Sequence, residues 1–409
     1  MKKLHVTALI SLALAGIVIG IVTLVGRHTT QPSHAVNQIP TTPNTPAASS
    51  VPFDTYRVLR LTDSENDQGG GGAADPYLQE QSEHFGVIVD GVSDYSGKIA
   101  QMHAWSTDAN NTNNGKPIIV LAYQGGSHIG GCTNAVKIGS MAVDPAGNYL
   151  STQAYPNSFL MDITQSGWQS YIATHSQSTL SSDGYDGVWM DVLGPESLSN
   201  GYNIAVKKDC KTQDATDTNK VPANANGAPI SSTTWIQGGA AVLSAIHGAT
   251  SGHTLGFNGV RPGGLGYNSD PLLQNADIGM TENWMFGENK TTVASFTYWK
   301  ANVDELINAH NMGKSVQAYT KMPDVAEPEQ DVIHKFTLAS FLLGTDGNQY
   351  FQFRTARTFM RWQPVTSTYP NGLPWYKNLL IGKPTGTYSA IGGASGCQCM
   401  YTVMVSPAV

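Results

Sequence analysis

Eight short apolar runs recur along this chain, most of them β-branched or aromatic, with longer helix-like segments between them. They cover residues 56–61, 85–89, 118–123, 187–192, 254–258, 278–282, 315–319 and 348–353. Runs of this length followed by polar or glycine-rich residues read as buried strands. Five intervening segments, 99–107, 167–179, 233–247, 296–311 and 329–343, carry helical spacing. A chain that returns through a helix re-enters its sheet in the same direction, so the alternation implies a parallel sheet covered by helices. Eight repeats predict an α/β fold of (β/α)8 TIM-barrel type. A strand at 401–405 forms a short C-terminal β extension. The pattern is uneven: a helix between 258 and 278 is barely visible, and Gly69–Gly72 is a flexible loop. Two long irregular stretches, 125–158 and 194–231, follow the third and fourth strands. Loops that long in a compact domain are usually functional, and these lie on the face where barrels build their sites.

The N-terminus addresses the chain. Lys2 and Lys3 precede an apolar run from about residue 6 to 25, long enough to span a bilayer as a helix. The basic flank predicts a cytoplasmic N-terminus and an exported remainder. Ser33-His34-Ala35 offers a cleavage site for the rival reading, a signal peptide. Residues 1–27 are thus a signal anchor or signal peptide, 28–52 a disordered linker rich in Thr, Pro and Ser, and 53–409 the folded domain. Both readings put that domain on the extracellular side of the membrane or in the medium. Charged residues are 13%, about half the usual share. With a net charge of -7 and no basic run beyond the N-terminus, nucleic acid is excluded as a partner. Cys132 and Cys210 fall in the two long loops and could staple them, whereas Cys397 and Cys399 are too close for an ordinary bridge. Their pairing does not follow from sequence.

The strongest local signal is the run from Asp183 to Asp191. Val188 to Met190 is a buried strand, and Asp191 stands where it emerges. Glu282 ends the sixth strand in the same way, with Trp284 just beyond; an aromatic neighbour raises a carboxyl pKa and suits a general acid. Cleaving a glycosidic bond takes two carboxyls flanking it, and strands four and six lie two apart on one rim. Asp191 and Glu282 are therefore the candidate catalytic pair. Candidate substrate contacts are Asp162, Asn258, Trp284, Tyr123, Asp90 and Tyr319, with Asp94, Gln124 and Lys321 weaker. Asp162 reads equally as a helix cap, and Asn258-Gly259 equally as a turn. No H-E-x-x-H, G-x-S-x-G or Walker pattern occurs, so neither a metal nor a cofactor is expected.

Several of these segments, in order, resemble a known family. They are Lys116 to Ala122, Phe159-Leu-Met-Asp162, Tyr185 to Asp191, Gly256 to Gly259 and Thr281-Glu282. The chain is similar, over about residues 56 to 405, to the hypothetical glycosyl hydrolase-like family 15. The resemblance implies a (β/α)8 barrel and a glycosidase acting on an extracellular or cell-surface polysaccharide or oligosaccharide. More distantly, retaining α-glycosidases carry a nucleophilic Asp at the end of strand four, which maps onto Asp191. Some relatives carry an acid/base at strand six, which maps onto Glu282. The alternative is a non-catalytic barrel that binds surface glycan. A metal-dependent deacetylase is disfavoured by the absence of a His cluster, and the oligomeric state stays open.

Overall fold

The structure is a computed structural model. It describes residues 57–61, 78–79, 82, 86–90, 95, 97–107, 117–152, 155–198, 204–211, 213–214, 222–261, 267–285, 295–321, 327–345, 348–354, 389–391 and 400–402, apart from positions 225 and 283. The expected anchor, the linker, Cys397 and Cys399 lie outside the described residues. Among the described residues no helix is long and apolar enough to cross a membrane.

The fold is mixed α/β. A curled parallel sheet contains β2 (Val87–Asp90), β3 (Ile119–Gly125), β7 (Gly187–Asp191), β10 (Thr254–Asn258), β11 (Ile278–Thr281), β12 (Ser315–Lys321) and β13 (Tyr350–Arg354), paired in that order. The strand β1 (Arg57–Leu61) pairs in parallel with β2 at one edge and β13 at the other. Between the strands run α1 (Ile99–Ser106), α3 (Ser166–Asp183), α4 (Ser232–Ala249), α5 (Asp270–Gln274), α6 (Phe296–Asn311) and α7 (Glu327–Gly344). The five predicted helices are all present. The faint one is α5, only five residues long, with Pro271 in its first turn. So short a helix has no room for a repeated apolar face.

Alternation along each strand sorts the side chains into two layers. Val87, Val89, Leu121, Trp189, Ile278, Met280, Tyr319 and Tyr350 pack together inside the curl. Their neighbours Ile88, Val120, Val188, Met190, Phe257, Val316 and Phe351 join the larger core under the helices. The helices obey the complementary rule. Trp168, Ile172, Ser176 and Leu180 line the buried face of α3, which ends at Gly184 in the left-handed conformation, φ 76°. The side chains of Ser231 and Ser295 accept from backbone amides in the first turns of α4 and α6.

The two irregular stretches are not structureless. Residues after β3 form β4 (His128–Gly130), α2 (Cys132–Ile138), β5 (Tyr149–Ser151) and β6 (Ser158–Leu160); residues after β7 add β8 (Ile204–Val206) and β9 (Gln213–Asp214). Together they make one five-stranded sheet in the order β4-β6-β5-β8-β9. A disulfide joins Cys132 to Cys210, with Cα atoms 5.7 Å apart, and so staples the two insertions. The bond closes a loop across a sequence separation of 78, which constrains the unfolded chain by about 4 kcal/mol in the loop-entropy account. Reduction, or the double change Cys132→Ser and Cys210→Ser, is expected to lower the urea midpoint accordingly. An unchanged midpoint would mean that the inserted sheet holds without its bridge. Near the end of the chain β14 (Ser389–Ile391) and β15 (Met400–Thr402) pair antiparallel.

Candidate active site

The inward columns of the sheet end in polar residues at its C-terminal rim. Above Leu121 comes Tyr123, above Trp189 comes Asp191, above Gly256 comes Asn258, and above Met280 comes Glu282. Period-two alternation makes each of these the next inward position on its strand. The four polar groups meet. The Tyr123 hydroxyl donates to Asp191 Oδ2 at 2.5 Å. The Asn258 amide donates to Asp191 Oδ1 at 2.9 Å and to Glu282 Oε2 at 3.1 Å. An amide nitrogen carries two protons, so one Asn258 side chain spans both carboxyls. Asp191 and Glu282 are half-buried and Asn258 is buried.

The backbone around Asp191 is held firmly. Gly126 N–H donates to the Asp191 carbonyl at 2.7 Å, and Leu193 N–H to the Asn258 carbonyl at 3.0 Å. The next residue, Val192, has φ 59°, an outlier for a β-branched side chain. Its carbonyl accepts from the Ser127 hydroxyl, and the following carbonyl, of Leu193, accepts from Trp235 Nε1 at 3.1 Å. A turn this sharp ends the strand at Asp191 and directs the chain away from the rim. Gly259, at φ 137°, lets the neighbouring loop approach: a Cβ there would lie 2.3 Å from Gly194 N. At the other end of β7, Asp186 accepts from Val120 N–H and is paired with His103 Nε2, each at 2.8 Å. It fastens the entry to the strand.

Two expected substrate contacts, Trp284 and Asp162, lie elsewhere. Trp284 is fully buried, with its indole N–H donated to the Thr337 carbonyl of α7 at 3.1 Å. It packs under a helix and offers no face to a ligand. Tyr319 is fully buried in the interior cluster and stands level with Glu282, since Thr281 is in register with Ala318. Asp162 is also fully buried and is taken up locally: Oδ1 accepts from Thr164 N–H at 3.1 Å and from its hydroxyl at 2.6 Å, and Oδ2 from Gln165 Nε2 at 3.0 Å. It shapes the turn before α3. The side chains of Asp90 and Lys321, and Asp94 as a whole, lie outside the described residues. Gln124 turns outward to Ser176 and Thr179 of α3.

One neighbour of Asp191 escaped the sequence reading. His128 opens the first insertion, and burial holds its imidazole pKa below the ordinary value, against the upward pull of the Asp191 charge. The only linear signal was the pair Gly125-Gly126 between the strand and the histidine, since glycine at a strand end permits close approach.

The family described as hypothetical glycosyl hydrolase family 15 matches residues 139–395, a span that includes Asp191, Asn258 and Glu282. No curated protein matches the sequence. Among solved structures the chain is similar to a cycloisomaltooligosaccharide glucanotransferase of Paenibacillus sp., with 15% identity, 64% of this chain and 38% of that chain covered, and a TM-score of 0.39. It is similar to Ega3 of Aspergillus fumigatus, with 10% identity over 76% of this chain and 96% of that one, TM-score 0.40. It is also similar to a glucosidase II alpha subunit, with 10% identity over 81% of this chain and 34% of that one, TM-score 0.47.

Proposed function

Because the chain belongs to the hypothetical glycosyl hydrolase family 15, we propose that it is a glycoside hydrolase, that its sheet is a complete (β/α)8 barrel closed through β1, and that Asp191 and Glu282 are its catalytic pair. The observation that carries the reading is the Asn258 amide spanning the two carboxyls. Two oxygens held 2.9 and 3.1 Å from one nitrogen lie at most about 6 Å apart. Retaining glycosidases keep their carboxyls roughly 5–5.5 Å apart and inverting ones roughly 6.5–9.5 Å, the extra room being for water. The short separation supports retention.

In this mechanism Asp191 attacks the anomeric carbon. The Tyr123 hydroxyl and the Asn258 amide hold both of its oxygens in place, which fixes the attack direction before substrate arrives. Glu282 gives its proton to the leaving oxygen, then takes one from the water that releases the sugar. Tyr123 and Asn258 are the substrate-binding residues that remain from those expected. The substrate is an extracellular or cell-surface polysaccharide or oligosaccharide. What supports the exported location is the basic N-terminal flank with its apolar run, together with the Cys132–Cys210 bond, since disulfides persist mainly in oxidising compartments.

The test is to incubate the protein with a panel of aryl glycosides and follow the first-formed sugar by proton NMR. Release of the anomer that matches the substrate is expected. Release of the opposite anomer would overturn the retaining assignment, and binding without any sugar release would favour the glycan-binding barrel.

A further inference from the structure

The inward column of β3 runs Ile119, Leu121, Tyr123, with Ile119 and Tyr123 packed against the interior cluster that contains Leu121. Its next position is Gly125, which has no side chain to present and pairs in register with Asp191. The place a side chain would occupy is already filled. A Cβ on Gly125 would lie 3.0 Å from both Cδ2 and Nε2 of His128. The imidazole edge of His128 therefore stands in the inward column of β3, above Tyr123 and alongside Asp191. Gly125 is glycine because that edge, and the His128 carbonyl 2.3 Å from the same point, leave no room for anything larger.

His128 is half-buried, and its Nδ1 is enclosed with no hydrogen-bond partner among the described residues. Burial favours the neutral ring even beside the Asp191 charge. A neutral imidazole offers one donor and one acceptor, which is the chemistry of a hydroxyl partner. Its backbone is fixed by antiparallel pairing with Leu160, and the Cys132–Cys210 bond ties down the insertion that follows.

We infer that His128 is a substrate-contacting residue, whose imidazole edge hydrogen-bonds a hydroxyl of the sugar ring seated against Asp191 and so sets which sugars the site accepts. The inference rests on the carbohydrate reading of the rim site, but it requires only that a sugar bind there. A buried polar group built for a hydroxyl rejects an analogue that lacks it, because the group is then left unpaired.

The test compares the full-length protein with His128→Ala and His128→Gln. The probes are 4-nitrophenyl hexosides and their single-position deoxy counterparts, followed by calorimetric affinity and by kcat/KM. His128→Ala is expected to lose at least about tenfold on the parent hexoside at unchanged Tm. The deoxy analogue that costs the wild type about tenfold should cost this variant nothing further. His128→Gln, which restores a polar end near Nε2, should recover part of the loss; it also carries the test if the alanine variant does not fold. Parent affinity and turnover within twofold of wild type in His128→Ala, or undiminished discrimination against every deoxy analogue, would overturn the inference and leave the hydrolase reading standing. Wild-type binding without hydrolysis, weakened in His128→Ala, would remove the hydrolase reading and keep His128 as a sugar contact. A wild type that neither binds nor cleaves any hexoside would overturn both.

Discussion

Glu282→Gln is expected to fold normally and to lose turnover of unactivated glycans by roughly 10²–10⁴-fold, the usual contribution of a positioned acid/base. Glutamine keeps an oxygen to accept the Asn258 amide at the 3.1 Å position, so the local packing survives. What disappears is the proton. A sugar leaving group needs that proton, whereas nitrophenolate departs without it. An aryl glycoside should therefore glycosylate Asp191 in this variant at a much less reduced rate. The intermediate then waits, because the same residue is needed to activate water. A burst of nitrophenol followed by slow turnover is the signature. Asp191→Asn should show no burst and no turnover on either substrate class, because nothing is left to attack. Stopped-flow release of nitrophenol from both variants reads the two roles separately. Full activity of Glu282→Gln on a natural glycan would remove that residue from the mechanism.

A second large effect is expected far from the rim. Glu305 on α6 is buried, its Oε1 has no hydrogen-bond partner among the described residues, and its pKa is raised from 4.5 to about 8. Burial is the main cause, the Asp270 charge adds to it, and a hydrogen bond with Asn308 opposes it. A carboxyl whose folded pKa is raised binds its proton more tightly in the native state. Its contribution is whole below pH 4.5 and is lost as pH rises through about 8. The loss is on the order of 5 kcal/mol. Glu305→Gln should match the wild type near the acid end of that window and exceed it by about that amount once the window is passed. His334 works in the other direction. Burial lowers its pKa to about 3, so its neutral form costs nothing above pH 6.5 and stability falls as pH drops below that. Chemical denaturation of wild type and Glu305→Gln across pH isolates the glutamate, since His334 is common to both. Parallel curves would mean that water reaches Glu305.

The strands were legible because their inward and outward residues are both apolar and their ends are polar. The predicted ranges 254–258 and 187–192 and the observed Thr254–Asn258 and Gly187–Asp191 differ by at most one residue. Asp191 and Glu282 were legible for a related reason: a carboxyl after a buried run has to sit at a rim. Trp284 misled because an aromatic two residues beyond a carboxyl is near it along the chain. The turn that brings Met285 to φ 63° carries the indole beneath α7 instead. The inserted sheet was invisible because each of its strands is two or three residues long, and its two halves are joined only by the pairing of β5 with β8 from the other insertion.

Strand and helix order, the parallel direction of the sheet and the carboxyls that close two of its strands were written in local pattern, because hydrophobic period and chain direction are local properties. It took the folded chain to bring one Asn258 amide between Asp191 and Glu282, Cys132 to Cys210, and His128 into the side-chain place of Gly125. Each of these depends on distances between residues far apart along the chain or on the path of a loop, and the curl of the sheet sets those distances where no local pattern records them.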